Sequence, residues 1–331
     1  MKKMLPFFLV LIVAVFSSIE LTAQGVYKDQ FAHTFSIVAK DTTTGEMAVG
    51  VQSHWFSVGT IVAWGKSGVG VVATQSFVNP AYGPQGLDLM SKGMSAKEAL
   101  TTLTAKDEGK AFRQLGFLDA QGNAVSFTGE NCVASASHFV GENFAVQANM
   151  MLNDDVIPAM KMAFEENATL PLAERVVLTM LAAQKSGGDI RGKQSAALIV
   201  VGAEPTKNAW EDKKVDLRVD DSPEPLKELD RLLKVHRAYE HMNKGDVAVE
   251  ANDMETALAE YGAAQKMFPE NLEMKYWTAI ALANSGQLKQ SLPIFKSVFE
   301  MDGNWKLLTK RLPKSGLLTV SEGDLDKILK L

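Results

Sequence analysis

The hydrophobic periodicity of this 331-residue chain changes near residue 223. Before that point, short apolar runs rich in Val, Ile, Thr and Phe alternate with glycine-containing turns, a pattern typical of β-strands. After it, apolar residues recur at helical spacing almost to the end of the chain. The sequence therefore predicts an α+β domain followed by an all-α domain. The acidic, proline-containing segment DDSPEPL marks the junction.

Seven segments of the first domain carry the strand pattern, and two longer ones carry apolar residues at helical spacing. The predicted strands are TFSIVAKD, EMAVGVQS, GVGVVATQSF, RQLGFLDA, AVSFTG, NFAVQANM and QSAALIVVGA. The predicted helical stretches are residues 83–107 and 154–188. Paired strands followed by helices and further strands predict helices packed on the surface of a sheet.

The first residues have the features of a secretory signal peptide. Two lysines near the start are followed by an apolar run from Leu5 to Phe16 and by the small-residue segment SSIELTA. The apolar run is shorter than the roughly 20 residues that a spanning helix needs, so an uncleaved anchor is the weaker alternative. We predict a signal peptide over residues 1–23 and a periplasmic or secreted protein that leaves the membrane once the signal is removed.

Composition and motifs exclude several kinds of partner. With 34 Lys and Arg against 39 Asp and Glu, the chain has no basic stripe for nucleic acid. Cys132 is the only cysteine, which excludes an internal disulfide and a cysteine-based zinc site, and a buried thiol is the simplest interpretation. No HExxH motif and no phosphate-binding glycine loop is present. We therefore predict no nucleic-acid partner, no metal and no cofactor.

The helical part contains an internal repeat. Residues 238–271 align with residues 272–305 at a 34-residue offset, so that Tyr261 corresponds to Phe295. This spacing resembles the tetratricopeptide repeat, in which small residues let paired helices approach and an aromatic ring fills the gap. Two copies cannot bury their apolar faces alone, so we expect flanking helices to cap them. We also expect a protein partner in the groove of the repeats.

The first domain resembles a known family in the order of its segments. The run from His33 to Met90 begins HTFSIVAKDTTTGEMAVGVQS, and the later segments are RQLGFLDAQGN, TGENC, AVQANM, PLAERV, SGGDIRGKQSAALIVV and VDLRVDDSPEPLKEL. Together they resemble the bacterial and archaeal domain of unknown function 1028, which is similar to the N-terminal nucleophile hydrolases. The resemblance implies a four-layer αββα sandwich over residues 24–222, followed by the tetratricopeptide-like helical domain over residues 223–331.

The resemblance also implies a nucleophile. In such hydrolases a Thr, Ser or Cys begins the first strand, and its own α-amine, with a pKa of about 8, accepts the side-chain proton. Thr34 stands at the matching position, and Ser36 lies two residues on, on the same face of the strand. A signal cut after Ala23 leaves ten residues before Thr34, so a second cleavage after His33 is required. Otherwise Thr34 is an ordinary β-branched residue of a half-buried strand.

The remaining site candidates follow from the need for hydrogen-bond donors aimed at a developing oxyanion and for charged partners of the nucleophile. The predicted catalytic residues, including the two above, are Thr34, Ser36, Ser53, His54, Thr74 and Asn79. The predicted substrate-binding residues are Gln75, Asp189, Arg191, Lys193 and Ser195. For each of these side chains, a turn cap or a strand-end hydrogen bond is the alternative interpretation.

These observations lead to two hypotheses of different class. The first is an exported amidohydrolase that cleaves an amide bond of a small molecule, a peptide or a cell-wall fragment, and we expect it to form a homo-oligomer. Some relatives join this domain to one that resembles a peptidoglycan-binding module, which favours a wall-derived substrate. The second is a catalytically silent sandwich that acts as a binding scaffold through its helical repeats. The state of residue 34 separates the two.

Overall fold

The computed structural model describes residues 30–331, with side chains from Ala32 onward. The predicted signal peptide lies outside the described residues. Contacts divide the chain into two compact units, one ending at Asp230 and one formed by Arg231–Leu331. The division falls inside a helix that begins at Pro225, within the DDSPEPL segment.

The first unit is a mixed α+β structure, and all seven predicted strands are present in it. Its strands are β1 (Gln30–Ala32), β2 (Thr34–Lys40), β3 (Met47–Ser53), β4 (Ala63–Lys66), β5 (Gly70–Val78), β6 (Arg113–Asp119), β7 (Ala124–Thr128), β8 (Ser137–Gly141), β9 (Phe144–Ala148), β10 (Ser195–Val201) and β11 (Lys213–Val219). Its helices are α1 (Tyr82–Ser91), α2 (Ala96–Thr104), α3 (Val156–Glu166) and α4 (Leu172–Lys185), with short 3₁₀ turns at Val58–Thr60, Lys110–Phe112 and Ala209–Glu211. Each predicted helical stretch thus contains two helices.

The strands form two antiparallel sheets. In the first sheet the order is β1-β5-β6-β7, and β4 pairs with the same strand β5. In the second sheet the order is β11-β10-β3-β2-β9-β8. The chain passes from the first sheet to the second between β1 and β2, where His33 is the only intervening residue. This crossing places the predicted nucleophile at the first position of β2.

The two sheets face each other across an apolar core. Val38 and Val49 of the second sheet belong to the same buried cluster as Val71 and Leu118 of the first. Strands β3 and β5 are buried along their whole length, and successive side chains point to opposite faces of a sheet, so the outer faces of both sheets are covered as well.

Helices cover both outer faces. Leu87 of α1 and Leu100 of α2 pack with Phe117 on the first sheet. On the second sheet, α4 approaches β3 so closely that a Cβ atom built at Gly50 would lie 2.5 Å from Cγ1 of Val176. Helices therefore pack on each of the two antiparallel sheets.

The second unit is helical, as the periodicity predicts. Helix α5 (Pro225–Glu250) enters it, and the following helices are α6 (Met254–Met267), α7 (Leu272–Asn284), α8 (Leu288–Met301), α9 (Asn304–Ser315) and α10 (Glu322–Leu329). The aligned residues Tyr261 and Phe295 are both buried. None of the helices in the described part of the chain is long and apolar enough to cross a membrane.

Two helical glycines provide a matched test of the packing in this unit. A Cβ atom at Gly245 would lie 2.4 Å from Cε1 of the buried Tyr261, whereas one at Gly262 would meet no atom within 4 Å. We expect Gly245→Ala to lower the free energy of unfolding by about 1–3 kcal/mol through overpacking. Gly262→Ala should raise it by up to about 1 kcal/mol, because alanine favours the helix. Urea denaturation of both variants measures the difference, and equal effects would contradict this packing.

Candidate functional site

The register of the second sheet brings three predicted site residues into one row. Thr34 of β2 lies directly opposite Ser53 of β3, which in turn lies opposite Ser195 of β10. All three residues are fully buried. Since neighbouring strands are about 4.8 Å apart, this row places Ser53 beside the start of β2 and Ser195 one strand further away.

Two hydrogen-bond donors converge on the carbonyl oxygen of His33, the residue before the predicted nucleophile. The Ser53 hydroxyl donates to this oxygen at 2.5 Å. The guanidinium Nη2 of Arg191 donates to the same oxygen at 2.9 Å. Negative charge develops on this oxygen if the bond between His33 and Thr34 is attacked, and such paired donors are the arrangement that stabilises it.

Arg191 is held in place by a buried carboxylate. Asp189 accepts hydrogen bonds from Nε of Arg191 at 3.0 Å and from its Nη2 at 2.7 Å, in the two-point geometry that fixes a guanidinium in both position and orientation. The Asp189 side chain is fully buried, and it also accepts from the backbone N–H groups of His54 and Arg191. The ion pair therefore orients the second donor toward the His33 carbonyl.

The Thr34 hydroxyl is itself engaged by the segment that precedes it. Its Oγ1 donates to the carbonyl of Ala32 at 2.7 Å. The Thr34 carbonyl accepts from the backbone N–H of Asn149 at 3.1 Å and from Nε2 of Gln75 at 3.1 Å. Both ends of the residue are thus fixed, and its nitrogen belongs to the peptide bond with His33.

A network of buried side-chain amides surrounds the start of β2. Ser36 donates to Gln75 at 2.6 Å and accepts from Gln147 at 2.6 Å, so its hydroxyl lies between two amides and no base contacts it. Gln114 accepts from both Gln75 and Asn149, at 2.7 and 2.9 Å. Buried amides of this kind are costly unless they are paired, and this pairing stabilises one arrangement of the two sheets.

The imidazole of His33 is buried within the same network. Its Nδ1 lies 2.7 Å from Oδ1 of Asn149, and the ring packs edge-on against Phe77 with centroids 6.0 Å apart. Burial lowers the pKa of His33, and the nearby Arg191 charge lowers it further, against the opposing effect of the Asn149 hydrogen bond. The ring is therefore neutral near pH 7.

Several predicted site residues make hydrogen bonds or ion pairs elsewhere. The Thr74 hydroxyl donates to the carbonyl of Asn79, whose own side chain caps the following turn at Ala81. Lys193 pairs with Glu224. Ser195 bridges the loop after β3, because it donates to the Trp55 carbonyl and accepts from the Val58 N–H.

His54 takes part through its backbone, since its side chain is exposed while its N–H binds Asp189. No group of three or more His, Cys, Asp or Glu side chains within residues 30–331 is arranged to hold a metal ion.

Sequence reasoning missed two residues of this site. The sequence indicates His33 only as the residue before a cleavage, whereas the structure shows that it is buried, with 2 % exposure. Asn149 follows β9 and contacts both His33 and Thr34. The signal for Asn149 is the pair of amides in the segment AVQANM, since polar residues on an otherwise apolar strand require partners in the core.

Comparison with known proteins identifies the family but provides no curated relative. A crystal structure of a family member from Silicibacter pomeroyi is 28% identical, with a TM-score of 0.55, and the match covers 61% of this chain and 88% of that one. A second structure, Anbu (ancestral beta-subunit) from Yersinia bercovieri, is 11% identical with a TM-score of 0.30, over 66% of this chain and 97% of that one. No curated protein matches. The model of the "Family of unknown function (DUF1028)" matches residues 34–229, from the first residue of β2, and the chain belongs to this family.

Proposed function

We propose that this protein is an exported amidohydrolase of the N-terminal nucleophile type, with Thr34 as its nucleophile. The spatial order of helices, sheet, sheet and helices supports a four-layer αββα sandwich for the first unit. The position of Thr34 at the start of a central strand supports its assignment. The proposed substrate is an amide of a small molecule, a peptide or a cell-wall fragment.

The observation that carries this proposal is the environment of the His33 carbonyl. The bond that must break to free the Thr34 amine is the bond whose oxygen accepts hydrogen bonds from Ser53 and Arg191. Attack by Oγ1 of Thr34 would form an ester to the His33 carbonyl carbon while the bond from that carbon to nitrogen breaks and the nitrogen takes up the hydroxyl proton. Water then hydrolyses the ester, releasing the His33 carboxylate and leaving Thr34 with a free amine.

The same groups would serve the hydrolysis of a substrate. The freed amine accepts the Thr34 hydroxyl proton as the oxygen attacks the substrate carbonyl, and it returns this proton to the leaving nitrogen. Ser53 and Arg191 donate to the oxyanion, and Asp189 positions Arg191. Gln75 and Asn149 act as positioning residues because they hold the Thr34 carbonyl.

We propose tetratricopeptide-like packing for the helical unit, with a protein partner as its ligand, and a homo-oligomeric assembly. The equivalent burial of Ala257 and Tyr261 in α6 and of Ser291 and Phe295 in α8 supports the repeat. Corresponding residues of the two repeats thus have the same role in helix packing.

A specific observation favours the competing proposal of a silent binding scaffold. The Thr34 hydroxyl donates to the Ala32 carbonyl, and β1 pairs with β5, so the preceding segment is part of the fold. A chain that keeps this segment has no free amine beside Oγ1 and lacks a base for the reaction.

Cleavage after His33 is the first test. The chain beginning at Gln24 is incubated and its intact mass is followed over time. We expect a product that begins at Thr34, and we expect Thr34→Ala to abolish it. Ser53→Ala should slow its formation by about 10²–10³-fold, because one of the two oxyanion donors is lost.

The matched control is Ser57→Ala, which removes a hydroxyl that donates to Asp220 instead of His33. This variant should be cleaved at the original rate. Cleavage of Thr34→Ala at an unchanged rate would show that another protease acts, and an unprocessed chain recovered from the exported fraction of the host would favour the scaffold.

The pH profile of hydrolysis tests the role of the amine in the protein that begins at Thr34. The amine acts as a base only when it is neutral, so kcat/KM for a chromogenic amide should rise about tenfold per pH unit below a pKa of about 8 and level off above it. Acetylation of the amine should abolish turnover at every pH. A profile that is flat between about pH 6 and pH 9 would contradict the assignment of the base.

A further inference from the structure

Strand β1 lies on β5 as an extended peptide would lie on the edge of a sheet. Gln30, Phe31 and Ala32 pair antiparallel with Val78, Phe77 and Ser76. The same edge of β5 continues along β4, which begins where Ala63 pairs with Ala73. The segment before Thr34 therefore occupies the part of the β5 edge next to β4, and we call this position the slot.

The end of this segment is held by contacts of three kinds. The Ala32 side chain is fully buried in the apolar cluster between the sheets. The His33 ring packs against Phe77 and hydrogen-bonds to Asn149. The His33 carbonyl accepts the two donors already described.

Removal of the segment would leave all of these binding groups in place. The edge of β5 would offer backbone hydrogen bonds, the Ala32 position would be a small apolar site, and the His33 position would be a pocket for a ring. The Thr34 hydroxyl would stand at the end of this slot, next to the Ser53 and Arg191 donors.

We infer that this slot is the acyl-side binding site of the proposed hydrolase, an inference that rests on the proposed function. Its substrate is an extended peptide. The residue on the acyl side of the cleaved bond has a neutral side chain with a ring, and the residue before it is small, such as alanine. Binding of such a chain to a strand edge uses backbone hydrogen bonds for affinity and side-chain pockets for specificity.

The reaction at this site is balanced within the proposed mechanism. Oγ1 of Thr34 forms an ester to the carbonyl carbon of the ring-bearing residue as the carbon–nitrogen bond of the amide breaks, and the amine leaves with the proton. Water then releases the peptide as a carboxylic acid. The new carboxylate lies beside the Arg191 guanidinium, so the structure predicts that the cleaved leader remains bound as a product inhibitor.

The test uses two proteins that begin at residue 34, each obtained by cleaving off an N-terminal fusion partner. One has Thr34 and the other carries Thr34→Ala. The probe is the synthetic peptide acetyl-Gln-Phe-Ala-His with a free carboxylate, and binding is measured by calorimetry. We expect one peptide per chain in both forms. Replacing the peptide histidine by alanine should weaken binding about tenfold or more, since ring burial and one hydrogen bond are lost.

Two further peptides test the slot without changing the protein fold. Tryptophan in place of the peptide alanine should abolish binding, because the Ala32 position is fully buried among apolar side chains. The reversed sequence acetyl-His-Ala-Phe-Gln should not bind. Equal affinity for all four peptides, or no binding of the first at millimolar concentration, would overturn the inference.

The outcomes separate this inference from the proposed function. If the Thr34 protein hydrolyses an amide but does not bind the leader peptide, the proposed function is supported and the peptide-binding slot is rejected. Selective peptide binding to both forms without hydrolysis of any amide supports the slot and rejects the function.

Discussion

The hydrogen bonding of buried polar side chains between the two sheets is the constraint on which the site depends. Ser36, Gln75, Gln114 and Gln147 have no access to solvent, and each unpaired amide would cost the full desolvation penalty of its donor or acceptor. Their network fixes the register of β2 against β5, β6 and β9, and with it the position of Thr34. A slip of β2 by one residue would turn Ser36 toward the helices and remove its hydrogen bonds to Gln75 and Gln147. The network therefore specifies one arrangement of the strand that begins at Thr34.

The sequence predicts the fold where local pattern and burial agree. Six of the seven predicted strands are buried along almost their whole length, whereas β1, β4, β8 and β11 escaped prediction. β1 and β4 have only three and four residues, and β8 and β11 are the two edge strands of the second sheet, so none of the four carries a long apolar run. The long helical stretches each divide in two for local reasons: Gly93, at φ +95°, separates α1 from α2, and Pro171 stands immediately before α4.

The sequence predicts those site residues whose position follows from strand pairing or from a nearby strand end. Ser53 lies beside the start of β2 because antiparallel register brings it there. Gln75 reaches the same place from β5 of the other sheet, and Arg191 and Asp189 lie in a loop next to β10. Thr74 illustrates the limit of the approach: it precedes Gln75 on the same strand, so its side chain points to the opposite face. The role of His33 depends on contacts with Phe77, Asn149 and Arg191, which are distant in sequence, and no local pattern reports them.

The segment before Thr34 has two effects on the fold. It pairs with an otherwise exposed edge of β5, and it removes the amine that would make Thr34 reactive. A chain that loses this segment gains a base but exposes unpaired backbone groups along three residues of the edge, together with the small apolar site left by Ala32. Since unpaired strand edges bind extended chains readily, the state with a competent nucleophile is also the state with the strongest demand for a peptide in the slot. In the proposed hydrolase, uncovering of the nucleophile and affinity for an extended substrate would therefore be coupled by the same strand.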